Sequence, residues 1–331
     1  HGGDSVSAYL GNPISFSLLP PILTAAFLQG LGSRNLFQTG SQDCNNKFVV
    51  AERMYGFPFI QPFPDVDRIG CLIIIGSNPA VSSGSFIQLP DPIRRLRAIE
   101  SRGGRVFHVN PRRTETAKQL GTQVFIRPDT DVYFLLSFLH EVLSRGAVDQ
   151  TRLGKFMRGF DHLRSIADPW PAERTAAITG VSASMLRSMV AAYLDADGAA
   201  LHLSTGVNQG SHGTLAFWVQ EAINAVSGNL DRKGGTLVGR GYVDGFPKLA
   251  RKGGHTMRKD VSRVGRLPSV ADTFPAGLMA DEILTPGDGR VRALFCVSGN
   301  PLLTVPNSNG RLEKALKSLE LLVVIDIFKN E

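Results

Sequence analysis

Cysteine is scarce in this chain of 331 residues: only Cys44, Cys71 and Cys296 occur. They are odd in number, far apart and in no CxxC pair. That argues against a disulfide framework, and against an iron–sulfur or zinc cluster built from this chain alone. Such usage points to a reducing, cytoplasmic compartment, with a periplasmic one left open. Long apolar runs are missing as well. The best candidate, Ile14 to Leu31, is broken by Ser15, Ser17, Pro20-Pro21, Gln29 and Gly30, and reads as a buried helix with a broken start. No signal or transit peptide is visible, and no direct membrane insertion is expected. Neither GxGxxG nor GxxxxGK[ST] occurs, so ordinary NAD and ATP sites fit poorly. Neither charge sign dominates. Lys and Arg total 36 against 29 Asp and Glu, a net +7 that suits an anionic ligand as readily as nucleic acid.

What is present is an ordinary globular composition, 43% hydrophobic and 20% charged. The length suggests about two domains. The chain starts at His1, not Met, and stops at Glu331 soon after a strand-like run, so both ends read as cut. Val6–Leu10, Cys71–Ile75, Arg105–Val109, Ala199–Ser204, Ala293–Val297 and Leu321–Ile325 read as strands. In Leu72-Ile73-Ile74-Ile75 and Leu321-Leu322-Val323-Val324-Ile325 no polar residue alternates, as in parallel strands covered on both faces. Helical stretches lie between them: Asp131–Leu143, Ala183–Leu194 behind an N-cap at Ser182, and Thr214–Val226. The alternation predicts a doubly wound, mostly parallel α/β sheet, and the strand-end motifs that follow predict two related domains of this kind.

An echo at the strand ends is the most informative feature. Val6–Leu10 runs into Gly11-Asn12-Pro13, Cys71–Ile75 into Gly76-Ser77-Asn78-Pro79, and Ala293–Val297 into Ser298-Gly299-Asn300-Pro301. Gly-Asn-Pro is also simple turn chemistry. Three copies at equivalent points favour a binding edge, because open α/β sheets bind ligands at the carboxyl ends of their strands. Two further ends agree. Val106–Val109 leads into Asn110-Pro111-Arg112-Arg113-Thr114, whose guanidinium groups suit a phosphate or a purine edge. Val124-Phe125-Ile126 leads into Arg127-Pro128-Asp129-Thr130-Asp131, where Asp129 or Asp131 could take a guanine edge or a ribose hydroxyl, or cap the next helix. Leu203 leads into Ser204-Thr205-Gly206-Val207-Asn208-Gln209-Gly210, glycine again beside amide side chains. His108 and His140 read as core residues, and His202, His212 and His255 show no metal-ligand spacing.

With these motifs in this order the chain resembles the molybdopterin oxidoreductases of the dimethyl-sulfoxide-reductase superfamily, which include formate dehydrogenases and nitrate reductases. Ile178-Thr179-Gly180-Val181, Gly228-Asn229 and Leu319–Phe328 carry the resemblance too. It implies a bis-molybdopterin guanine dinucleotide cofactor on molybdenum or tungsten, with a guanine nucleotide held by each of two α/β domains: residues 46–240, and a discontinuous one of 1–45 plus 241–331. It further implies that Gly76, Ser77, Asn78 and Pro79, on to Ser82, wrap one nucleotide's phosphates. Asn110, Arg112, Arg113 and Thr114 with Asp129 and Asp131 would hold its ribose and guanine. Thr205 and Gln209 would face the pterin, and Gly299 and Asn300 would serve the second nucleotide. The usual residue at position 110 is Asp, so Asn110 keeps a hydrogen-bonding group without the charge. A 4Fe-4S domain before this region and a barrel-containing domain after it are implied for the full-length protein. So are a small-molecule substrate and an electron-transfer partner or subunit.

In formate dehydrogenase-like members an Asp precedes a Cys or selenocysteine that ligates the metal. The matching stretch here is Ser41 to Val50, with Asp43 on the Asp and Asn45 on a cofactor-contacting Asn, but the ligand position falls on Val49, which cannot coordinate. Asp43 or Cys44 could ligate after a local shift; the metal could carry only pterin sulfurs with oxo or hydroxo ligands; or the protein could be a non-catalytic structural or electron-relay homologue. The second is preferred. Gly239-Arg240-Gly241 matches a segment that carries an active-site Arg in formate dehydrogenases, which would orient an anionic substrate. Arg240 opens a basic, glycine-rich stretch to Arg266 without helical or strand period. That stretch reads as a solvated loop or a mobile loop over an anion. No base-stacking array of aromatics interleaves its cations, so nucleic acid is not expected as a partner.

Overall fold

The structure is a computed structural model, and it describes residues 1–83, 87, 89–239, 257–306 and 309–330. Among these the strands in chain order are β1 Val6–Leu10, β2 Asn35–Gln38, β3 Pro62–Pro64, β4 Cys71–Ile75, β5 Arg105–Asn110, β6 Thr122–Phe125, β7 Ala199–Leu203, β8 Thr236–Val238, β9 Phe274–Pro275, β10 Ala293–Val297 and β11 Leu321–Ile325. The chain divides into two compact units, His1–Asn45 with Leu249–Glu331, and Asn46–Lys248.

In the unit Asn46–Lys248 four strands form a parallel sheet in the order β6-β5-β4-β7. Every residue of β4 is buried, and alternate side chains serve opposite faces. Cys71, Ile73 and Ile75 join Phe107, Val109, Leu201 and Leu203 under helices Asp131–Ser144, Ala183–Asp195 and Gly213–Val226. Leu72 and Ile74 join Val106, Ala200, Leu96 and Ile99 on the other face, against helix Pro92–Ser101. Two covered faces explain the unbroken apolar run. Ser182 caps its helix as expected, its Oγ accepting from Met185 N at 3.2 Å. A short antiparallel pair, β3 with β8, has no counterpart in the sequence reading.

The other unit holds a five-stranded parallel sheet, β11-β10-β1-β2-β9. Tyr9, Phe37, Phe274, Leu294 and Cys296 pack on Met279, Ile283, Leu312 and Ala315. On the opposite face, Leu10 and Val297 meet Ile14.

Three expectations need correction. Helix Leu19–Leu31 buries only Leu28, while Leu19, Ile22, Leu23, Phe27 and Leu31 are exposed. It packs on the sheet, where the ring centres of Phe27 and Phe295 lie 4.9 Å apart, edge to face. A helix apolar all round does not reveal which of its faces the chain covers. Strand β11 is likewise not covered on both faces. It sits at the sheet edge, with Leu321, Leu322, Val324 and Ile325 exposed. The basic stretch is not a uniformly solvated loop where it is described: Arg263 donates from Nε to the buried Glu282 at 3.0 Å, and Arg258 donates from Nη1 to the Arg34 carbonyl at 2.9 Å. These cations hold the unit's own backbone. Arg240 and the rest of 240–256 lie outside the described residues.

A buried polar cluster joins helix Asn45–Tyr55 to helix Gly213–Val226. Lys47 is 4% exposed and Glu221 3%. The Tyr55 hydroxyl donates to Glu221 Oε2 at 2.8 Å and Gln220 Nε2 to Oε1 at 2.9 Å, and the Lys47 ammonium lies 5.5 Å from the centre of the Phe63 ring. Burial raises the Glu221 carboxyl above its ordinary range, and the Lys47 charge opposes that rise. Removing one member of such a set strands the other charge in the core. Lys47→Met is expected to cost about 3–5 kcal/mol in urea denaturation, and adding Glu221→Gln should recover a large part of that loss.

Candidate functional site

Register brings the strand ends level. In the unit Asn46–Lys248, Ile75 pairs with both Val109 and Leu203, so Gly76, Asn110 and Ser204 leave the sheet side by side. From β4 the chain moves outward through β5 to β6, then returns on the far side of β4 as β7. The order reverses between β4 and β7, and open sheets place their ligand crevice at such a reversal. Two glycines meet there. Gly206 N donates to Gly76 O at 3.0 Å. A Cβ on Gly76, which has φ +64°, would come within 2.9 Å of Val207 N, and one on Gly206 within 2.8 Å of Gly76 O. Side chains are thereby excluded, and backbone lines the crevice.

The neighbouring polar groups divide into those the fold uses and those it does not. Asn78 is used: its Oδ1 accepts from Thr116 Oγ1 at 2.8 Å and its Nδ2 donates to Glu115 Oε2 at 2.6 Å. Pro79 is buried and opens the turn Pro79–Ser82. Asn110 Oδ1 accepts from Arg112 N at 3.3 Å, and Arg112 pairs with Glu115 at 3.1 Å. Thr114 is buried, its Oγ1 accepting from Ala117 N at 3.1 Å. Arg113 is exposed and makes no ion pair with any described residue. Asp129, at φ +64°, accepts from Ser211 N at 2.7 Å and from its Oγ at 2.5 Å, which holds its carboxyl below the usual range. This ties the loop after β6 to the loop after β7. Thr205 is half-buried and Gln209 exposed, on the single turn Thr205–Asn208 and just past it.

Two orphans flank the glycine contact. Ser77 Oγ is buried with no hydrogen-bond partner among the described residues, and so are Oδ1 and Nδ2 of Asn208; these residues are 7% and 6% exposed. Leaving such groups unsatisfied costs about 1–3 kcal/mol each. The sequence points to Gln209 rather than to its neighbour Asn208. The signal was present in the amide-rich strand end, but a one-turn helix gives no period to show which amide turns inward. Asn46 was passed over in favour of Asn45 in the same way. Its Nδ2 donates to the Asn208 carbonyl at 2.8 Å, and its Oδ1 accepts from Thr214 Oγ1 at 2.6 Å, so it fixes the loop that carries Asn208.

The other unit repeats the arrangement. Its order reverses between β1 and β10, where Leu10 pairs with Val297. Gly11 N donates to Val297 O at 2.9 Å. A Cβ on Gly11 would sit 1.9 Å from Ser298 O, and one on Gly299 within 2.9 Å of Gly11 Cα. Asn300 leads the turn Pro301–Thr304. Gln42 Nε2 donates to the Thr304 carbonyl at 3.0 Å, which brings helix Gly40–Asp43 beside this edge, with Asp43, Cys44 and Asn45 half-buried. Asn45 Oδ1 would lie 2.4 Å from a Cβ on Gly40. Among the described residues no three His, Cys, Asp or Glu side chains gather as a metal site. Val49 lies half-buried on helix Asn45–Tyr55. His108 is a core residue, its pKa lowered by burial to about 4.

Asp131 opens helix Asp131–Ser144. Burial pushes its pKa up to about 6; a backbone hydrogen bond opposes the rise and the Asp129 charge adds to it. Between about pH 4, where an unfolded Asp titrates, and pH 6 the folded form binds more protons, so stability falls as pH rises through that window. Asp131→Asn should therefore raise thermal stability at pH 8, by up to about 3 kcal/mol, and leave it unchanged at pH 4. Equal effects at both pH values would show that the carboxyl is not strained.

The family model for molybdopterin oxidoreductases matches residues 22–331. The F420-dependent formate dehydrogenase subunit alpha of Methanocaldococcus jannaschii is 26% identical over 281 residues, covering 81% of this chain and 40% of the relative. The assimilatory nitrate reductase catalytic subunit of Bacillus subtilis is 23% identical over 352 residues, covering 100% and 48%. The dimethyl sulfoxide/trimethylamine N-oxide reductase of Cereibacter sphaeroides is 28% identical over 303 residues, covering 84% and 36%. Among solved structures, acetylene hydratase from Pelobacter acetylenicus superposes with a TM-score of 0.78 at 18% identity, over 98% of this chain and 47% of that one, and shares the fold. The chain thus spans less than half the length of these relatives. The family match over nearly its whole length, on a fold with two parallel sheets, establishes that the chain belongs to the molybdopterin oxidoreductases.

Proposed function

We propose that this chain is the nucleotide-holding core of an oxidoreductase that works with a bis-molybdopterin guanine dinucleotide cofactor on molybdenum or tungsten. Each unit's glycine-lined edge takes one guanine nucleotide. The observation that carries the reading is the pair of orphaned polar residues beside the Gly76–Gly206 contact, because the fold itself gains nothing from burying them. When bound, the metal centre supplies the two-electron or oxygen-atom-transfer chemistry.

The chain's own residues bind and orient. The bare backbone at Gly76 and Gly206 lets phosphates approach peptide N–H groups, and the Ser77 hydroxyl and Asn208 amide complete their hydrogen bonds on the ligand. Arg113, exposed and unpaired among the described residues, offers its guanidinium to phosphate. Asp131 suits the paired N–H donors of a guanine edge, which would hold its carboxyl ionised against the burial that raises its pKa. Gly11 and Gly299, followed by Asn300, serve the second nucleotide. In full-length protein as isolated, acid hydrolysis should release two guanylates per molybdenum or tungsten; neither guanine nor metal would overturn the proposal. Asn208→Leu should raise the melting temperature of cofactor-free protein, since it removes a buried unsatisfied amide. The same change should lower the guanine retained.

A second reading, a non-catalytic structural or electron-relay homologue, draws on Val49 at the position of the metal ligand. Turnover with a dye as electron acceptor by cofactor-loaded full-length protein excludes it, and silence across formate, nitrate and sulfoxide substrates supports it.

A further inference from the structure

Away from the strand ends, the unit Asn46–Lys248 carries a groove of about 790 Å³ between helices Asn45–Tyr55, Gln150–Phe156 and Gly213–Val226. Its apolar lining is Met54, Phe156, Met157 and Trp218. A smaller hollow of about 110 Å³ continues it along Met54, Met157 and Trp218 towards Phe160. Phe156 is 71% exposed, so folding alone gives no reason for a large aromatic there. Methionine, tryptophan and arginine are the residue types enriched at the centres of protein interfaces, and flexible methionines adapt to a partner's side chains.

The rim is cationic. Arg152 is held in place, donating to the Leu230 carbonyl at 2.5 Å and pairing with Asp149 at 3.7 Å. Arg53 and Arg158 are exposed, line the groove and make no ion pair with any described residue. Lys155 adds a further charge, 5.3 Å from the centre of the Phe156 ring. Asp231 is the carboxylate in the lining. The groove lies between helices, whose main-chain groups are bonded within them, so a helix suits it better than an added strand. An apolar trough with a cationic rim complements a helix with large apolar residues on one side and carboxylates along its flanks.

We propose that this groove docks an acidic amphipathic helix of a partner polypeptide. The test uses full-length protein and two fluorescein-labelled helical peptides of 16 residues (one Leu/Phe face each, flanked by Glu in one and by Lys in the other), followed by fluorescence anisotropy. The Glu peptide should bind at least about tenfold more tightly than the Lys peptide, as charge complementarity requires. The exposed double change Arg53→Glu with Arg158→Glu should reverse that order, and Trp218→Ala should weaken both peptides. Circular dichroism verifies that the variants stay folded. The proposal is overturned by equal affinity for the two peptides, by binding that the double change leaves untouched, or by full displacement of the Glu peptide by ADP, which would mark a nucleotide pocket.

Discussion

A single steric constraint organises both units: the two parallel strands that flank the reversal of strand order must bring their exit loops into backbone contact. At Gly76 with Gly206, and at Gly11 with Gly299, a Cβ would fall within 3 Å of a main-chain atom of the opposing loop. Only glycine satisfies that geometry. Its consequence is a crevice walled by peptide groups at the carboxyl edge of each sheet. Register then delivers the polar loops to the same level, because Val109, Ile75 and Leu203 end opposite one another, as do Val297 and Leu10. The recurrent glycine at the strand ends is therefore the trace of a packing requirement as much as of a ligand.

Around that crevice, hydrogen bonding separates scaffold from surplus. Asn78, Asn110, Thr114 and Asp129 are engaged by their own or neighbouring loops, which stiffens the turns in which they lie. The Ser77 hydroxyl and the Asn208 side-chain amide are buried with no hydrogen-bond partner among the described residues, and Asp131 is a carboxyl that its surroundings disfavour as an anion. Stiff turns that present a few dissatisfied groups bind with little ordering cost. The Lys47–Glu221 cluster plays the opposite part. Its buried polar atoms are matched to one another and lock two helices of the same unit together.

How far the sequence was legible follows from the same physics. Strands β4 and β10 could be read to the residue, because each is an unbroken apolar run that ends in a glycine-bearing turn. The pair β3–β8 could not: β3 is three residues with two prolines, and β8 is only three residues long. Helix Leu19–Leu31 and strand β11 are as apolar as core elements, yet both leave most of that surface exposed. Hydrophobicity reports that a surface needs cover, not what supplies it. At the site, the strand-end loops were found from their composition. The choices within them, Asn208 beside Gln209 and Asn46 beside Asn45, depended on side-chain direction in short turns, which no periodicity encodes. Arg258 and Arg263 were read as members of a basic loop, because nothing local announces Asp272 or Glu282 as partners distant in sequence.

The central claim is that the glycine-lined carboxyl edges are the nucleotide seats. An experimental structure of the cofactor-loaded full-length protein tests it most directly. The account predicts one guanine at the edge formed by Gly76, Asp131 and Asn208, and another at the edge formed by Gly11 and Gly299. Guanines seated elsewhere, for instance at the amino ends of the strands near Arg105, would contradict it.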